Sequence, residues 1–226
     1  MKLAIKLLLL CLSLLEFQLS TDAQLFQAEY KVEMAYPVDN GKGSIIVPYK
    51  GLYYSLGTKS ISWLDPDFLE ENPNGIFKYK ESEISFSSNL QQQLVYVNRD
   101  SMLIRHNADG RMNYLQSFEP ELYIWQLEPE LKLIKGFTCK KLLYRKKSDG
   151  PILGEIWYFS DIQMPVGLMM MIGLPGLMVE WEVYGFLKAS LHKYSFQENL
   201  SEKIFWPDVF NKPFKELPPF KRAIIN

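Results

Sequence analysis

The sequence predicts a mostly-β fold: a curved antiparallel sheet, open or half-barrel and bowl-like, with little helix. Three observations predict it. Short runs of alternating apolar and polar residues recur along the chain, as half-buried strands require. Gly, Pro, Asn and Asp clusters separate these runs at hairpin spacing. Aromatic residues make up 14% of the 226 residues, with 13 Tyr and 14 Phe, and 13 Gly and 13 Pro accompany them, a mixture that favours strands and turns over long helices. Apolar types reach 47% and charged types 23%, enough apolar surface to offset the ordering entropy of a folded chain.

In chain order, Met1 to Ala23 reads as a cleaved secretory signal peptide. Lys2 and Lys6 start it, Leu7 to Leu15 is its apolar run, and Ser20-Thr21-Asp22-Ala23 ends it with a small residue before Gln24. Glu16 and Gln18 interrupt the run well short of the about 20 apolar residues that a spanning helix needs, so the segment predicts export into the periplasm or beyond and not a transmembrane anchor. The remainder, 24–226, is expected to form a single domain. Removal of the signal takes Cys11 with it and leaves Cys139 as the one cysteine, so no internal disulfide is expected and Cys139 reads as a small buried apolar residue.

The domain opens with Gln24 to Tyr36, whose Tyr30, Val32, Met34 and Tyr36 alternate with Glu29, Lys31, Glu33 and Ala35. Asn40-Gly41-Lys42-Gly43 supplies a turn. Ile45–Val47 and Leu52–Leu56 read as two short strands broken around Pro48, and Asp65 to Gly75 as a long loop, the place for an insertion or a lid. Further strands are expected at Ile76–Tyr79, Ile84–Phe86, Leu94–Val97, Met102–Arg105 and Met112–Leu115, the last two flanking an Asp109-Gly110 hairpin turn. Ile124-Trp125, Phe137–Tyr144 and Glu155–Phe159 continue the pattern. In the clearest hairpin, Val179, Trp181 and Val183 alternate with Glu180 and Glu182, and after Gly185 the residues Leu187, Ala189 and Leu191 alternate with Lys188, Ser190 and His192. Pairing of these arms sets an acidic face beside a basic one. The tail from Trp206 to Phe220 is Pro-punctuated, with a helical turn at Asp208 to Asn211.

Between Trp125 and Val183 several elements stand in order: Ile134-Lys135-Gly136-Phe137-Thr138-Cys139-Lys140-Lys141, then Trp157-Tyr158, then Asp161 to Gly167, then the hexapeptide Gly173-Leu174-Pro175-Gly176-Leu177-Met178. This segment resembles the GLPGLI family of exported proteins from certain Gram-negative bacteria. Two departures stand out: Met178 where the family has Ile, and Leu168 with Met169 to Met171 where a Pro follows the glycine. The resemblance implies an exported β-rich protein without assigned catalytic residues. The hexapeptide itself contains no acid, base, nucleophile or metal ligand. Its glycines and Pro175 suit a tight structural corner leading into the Val179–Trp181 strand, and this reading is preferred to a ligand rim.

A net charge of -1 argues against nucleic acid as a partner, because such binding depends on clustered Lys and Arg. No catalytic, metal or cofactor site is expected. His106 and His192 are the only histidines. There is no Gly-x-Ser-x-Gly elbow, Cys-x-x-Cys or His-x-x-x-His spacing, and Asp65 with Asp67 and Glu128 with Glu130 read as solvated turn carboxylates. The functional expectation is a non-enzymatic exported protein that binds an apolar ligand such as lipid, a peptide or an envelope protein on its curved sheet. The alternatives are a hydrolase acting on exported peptides or glycans, whose mark would be titratable groups converging in one pocket, and an accessory module of an outer-membrane machine.

Overall fold

In the computed structural model, described for residues 25–38, 41–80, 82–85, 92–107, 112–118, 123–146, 149–164, 166–197 and 201–219, alternating residues sort to the two faces of one large sheet. Residues 1–23, expected to be a signal peptide, and Asp109-Gly110, expected to form a hairpin turn, lie outside the described residues, as do Phe86 and Ser148.

The first strand, β1 (Leu25–Val38), is central. It pairs on one side with β2 (Gly43–Leu56) and on the other with a strand from near the end of the chain. From β2 the chain meanders through β3 (Lys59–Asp65), a small separate hairpin of β4 (Ile76–Tyr79) and β5 (Ser82–Ser85), then β6 (Gln92–Asn98), β7 (Leu103–Asn107) and β8 (Asn113–Ser117). A second meander runs β9 (Ile124–Ile134), β10 (Phe137–Arg145), β11 (Gly154–Phe159), β12 (Leu177–Val183) and β13 (Leu187–Gln197), and β13 returns to β1. The short β14 (Phe214–Glu216) pairs parallel with β8. The described residues thus form a twelve-stranded, largely antiparallel open sheet in the order β14-β8-β7-β6-β3-β2-β1-β13-β12-β11-β10-β9, with little helix.

Two sequence breaks are not breaks. Pro48 lies inside a continuous β2, opposite Glu33 of β1. The last β2–β3 pair is Lys50 with Asp65, so among the described residues Pro48 sits where β2 has a neighbouring strand on one side only, a position that tolerates a missing N–H. Likewise β9 continues past Trp125 to Ile134 through Pro129, on the outer edge of the sheet, where a bulge opposite Lys140 and Lys141 leaves Pro129 and Glu130 out of register. Glu128 and Glu130 are therefore strand residues, not turn residues. The Asp65–Gly75 stretch also differs from a plain loop: α1 (Phe68–Glu71) forms one turn within it, because Phe68 is a buried anchor whose ring meets Tyr49 at 5.5 Å and Phe77 at 5.4 Å, both edge-on.

One face of the sheet carries Tyr30, Val32, Met34, Tyr49, Ile156, Trp181, Leu187 and Leu191 and is the main core. A plug formed by residues 162–177 covers it. Leu177 N–H donates to Ile162 O at 2.9 Å and Gly167 N–H to Met171 O at 2.7 Å, closing the plug on itself, while Met164, Leu168, Met171 and Leu174 enter the core. Val166 and Ile172 pack on Val95, Val97 and Ile104 of β6 and β7. The opposite face has two parts. Its β3–β6–β7 half is sealed by the C-terminal tail, where 3₁₀ turns at Glu202–Phe205 and Asp208–Asn211 bury Phe205 and Phe210 against Ile61, Trp63, Leu94 and Tyr96. Asn113 locks the tail, its amide donating to Val209 O at 2.7 Å and Lys212 O at 3.0 Å. The half over β1, β13, β12 and β11 is left open by the described residues.

Candidate functional site

On that open half, polar alternation places Lys31 and Glu33 of β1, Lys188 and Ser190 of β13, Glu180 and Glu182 of β12, and Glu155 and Trp157 of β11 side by side. They line a groove of about 350 Å³. The sheet rolls towards it. Lys132 of β9 reaches Glu180 of β12 at 3.0 Å, although β10 and β11 stand between their strands. Strands three places apart in a flat sheet are roughly 14 Å apart, a span that the two side chains could bridge only if both lay fully extended along the sheet, and curvature shortens it.

The charges are matched. Besides Lys132 with Glu180, Lys141 bridges Glu155 at 3.1 Å and Glu130 at 3.6 Å, and Lys188 bridges Glu182 at 3.6 Å. This last pair is the acidic-beside-basic register expected of the β12–β13 hairpin. Glu33 lies opposite Lys188 across β1–β13. Trp157 anchors the cluster: its indole N–H donates to Glu155 Oε1 at 3.2 Å, and Lys132 and Lys141 hold their ammonium groups 5.3 and 5.5 Å from its ring centre, each a favourable cation–π contact. With 8% of its surface exposed, Trp157 braces the groove and offers no free ring for sugar stacking.

Glu155 is the most heavily supported carboxylate. Burial pushes its carboxyl upward, but hydrogen bonds from Lys141, Trp157 and Tyr184 outweigh that and hold it below its ordinary 4.5. The Glu155 hydrogen bond pushes the Lys141 ammonium upward. A lowered carboxyl stabilises the fold above its unfolded-state value and loses that contribution as pH falls through the folded-state value; a raised ammonium contributes until pH climbs through its own. The pair therefore supports the fold across neutral pH. Urea denaturation of Glu155→Gln against wild type should show a deficit at pH 7 that shrinks steadily below about pH 4.5; an unchanged deficit at acid pH would mean that the carboxylate charge contributes nothing.

The other candidates are scattered. Cys139 is fully buried, its Sγ 3.6 Å from Phe137 O, and burial pushes its thiol up to about 11, far from a nucleophile's range. His106 is on β7, eight places along the sheet from β10 and Cys139. It stacks on Tyr114 at 5.2 Å, and burial lowers its pKa. His192 is exposed, in the bulge of β13 beside Glu29 and Tyr30. Asp65 ends β3 and Asp67 precedes α1. No group of three or more His, Cys, Asp or Glu suited to a metal ion occurs among the described residues. No helix among them is long and apolar enough to cross a membrane.

The motif residues have structural surroundings. Gly173 has φ +87° at the exit of the plug. A side chain on Gly176 would run into the Phe159 carbonyl. Leu174, Leu177 and Met178 are buried while Pro175 is exposed, and Met178 O accepts the Tyr30 hydroxyl at 3.1 Å. Lys135 and Gly136, with φ +50° and +86°, make the two-residue β9–β10 turn. Lys140 is exposed, whereas Tyr158 is buried opposite Met178. Of the three consecutive methionines, Met171 is buried and Met169 half-buried with φ +54°. Sequence reasoning missed the groove because its lysines and glutamates come from six strands; the one legible signal was the alternation in β12 and β13.

No family model and no curated protein matches the chain. The solved structure of PNGF-II is similar at 16% identity and a TM-score of 0.52, over 87% of this chain and 31% of that one. What is shared is the fold. The chain spans about a third of the length of PNGF-II. A LolA superfamily protein from Nitrosomonas europaea aligns at 11% identity, TM-score 0.35, over 83% of this chain and 92% of that one. A putative outer membrane lipoprotein-sorting protein domain from Vibrio parahaemolyticus aligns at 10% identity, TM-score 0.27, over 83% and 92%.

Proposed function

We propose that this is a non-catalytic exported protein, of the GLPGLI type that its motif resembles, which holds an extended peptide segment of a partner across the open face of its sheet. One observation carries the reading: the four carboxylates lining the groove, Glu33, Glu155, Glu180 and Glu182, meet Lys31 and Lys188 of the same lining and Lys132 and Lys141, which reach them from β9 and β10. A surface so balanced favours a chain of alternating charge, whose side chains can exchange with the existing pairs, over a strongly charged polymer. It also argues against proton-transfer chemistry. A glycosidase acid needs a carboxyl held protonated near neutral pH, and the best-supported carboxyl here is pushed the other way. The methionines that would suit an apolar cleft, Met164, Met171 and Met178, are built into the core.

The test is fluorescence polarisation with a labelled peptide of alternating lysine and glutamate. Binding should weaken as salt rises, and Lys188→Glu, an exposed change, should raise the dissociation constant about tenfold. Hydrolysis of peptide or glycan substrates that Glu155→Gln abolishes would overturn the proposal, as would binding indifferent to both salt and Lys188→Glu.

A further inference from the structure

The outer edge of the sheet carries a second feature, which shares Lys132 with the groove. β9 pairs with β10 alone among the described strands, and its outward backbone groups can be identified. Ile134 and Phe137 close a two-residue hairpin turn, so the N–H and C=O of Ile134 point at β10. Alternation then turns those of Leu133 and Leu131 outward. These residues also expose their side chains, Leu131 by 65% and Leu133 by 73%, an arrangement that invites strand pairing at an edge. By contrast the other edge, β14, is three residues long and ends in Lys215 and Glu216.

We infer that β9 is a homodimer interface, with two copies of the chain pairing antiparallel through residues 129–133 about a two-fold axis at Leu131. In this register Glu130 of each copy, bridged to Lys141 of its own chain, lies across from Lys132 of the other, bridged to Glu180, so the two intrachain ion pairs join into one network of alternating sign. Leu131 meets its own counterpart. Leu133 lies across from Pro129, apolar against apolar, at the bulge, where a residue without a donor is tolerated. A shift by one residue about Lys132 would set the two lysines face to face. The occupant that fits this edge is therefore a second copy of it, and the two sheets join into one.

Sedimentation equilibrium of the full chain, with cysteine trapping, tests this. The wild type should be dimeric. In a Cys11→Ser background, Leu131→Cys should form an intermolecular disulfide on mild oxidation, since the two Cα atoms would stand about 5.5 Å apart, while Cys139 is buried. Glu130→Lys should raise the dimer dissociation constant about tenfold, and adding Lys132→Glu should restore it. Leu131→Glu should be monomeric with an unchanged far-UV spectrum, because the residue is exposed. The inference is overturned by a monomeric wild type, by a dimer that survives Leu131→Glu, or by an edge that captures only added peptide.

Discussion

Gly176→Ala is expected to destabilise the protein by about 3 kcal/mol, the upper range for overpacking a rigid site, and to lower the melting temperature by roughly 6–12 °C for a chain of this size. The reason is local and geometric. Gly176 passes so close to the Phe159 carbonyl and the Ser160 backbone that a methyl group has no room, and neither neighbour is a side-chain tip that can swing away. That contact fixes the entrance of the plug to its exit, next to the Leu177–Ile162 hydrogen bond. Gly185→Ala is the control. Its φ of +73° penalises a side chain, but nothing lies within 4 Å, so its cost should stay at about 1 kcal/mol. If thermal melts rank the two variants equally, the close approach is not what the glycine is for.

Leu168→Ala should cost a similar amount, about 3 kcal/mol, from lost transfer energy and the cavity left behind. Leu168 is fully buried at the crown of the plug, where its Cδ2 fills the space above Gly51: a Cβ on that glycine would stand 2.8 Å from it, 3.1 Å from Val32 and 3.2 Å from Tyr30. The knob and the notch are complementary, so their substitutions must couple. Gly51→Ala alone overfills the site. Combined with Leu168→Ala it occupies part of the vacated volume, and the double variant should be more stable than the sum of the single changes predicts by at least about 0.5 kcal/mol. Strict additivity in urea denaturation would mean that plug and sheet do not interlock here.

How much of this was legible follows from which forces are local. The β12–β13 hairpin was plain because Glu180, Glu182, Lys188 and Ser190 alternate with buried residues on both arms, and the Asp208–Asn211 turn was signalled by its prolines. Pro48 and Pro129 misled because their cost depends on whether a neighbouring strand needs the missing N–H, which only the sheet order decides. The Asp65–Gly75 stretch looked solvated because one residue, Phe68, outweighs its polar neighbours once Tyr49 and Phe77 are in place. The charged groove was hidden for a related reason: Lys132 and Glu180 are 48 residues apart in the chain, and rolling of the sheet brings them together. The hexapeptide and its upstream elements stood out as a pattern, but nothing in the pattern said that the residues before it fold back as a plug.

The position of β1 has a consequence for how the chain comes to be made. The two meanders each pair neighbour with neighbour, yet within the sheet they meet only along β1, whose Leu25 lies opposite Gln197. The first strand to emerge during synthesis must wait, with one edge unsatisfied, for nearly the last. Each meander can begin to assemble by itself, but the seam between them closes only after the chain is almost complete, a slow step because of the long span that must be brought together. A polypeptide truncated before residue 187 would lack the strand that satisfies this seam and would present an open template for aggregation.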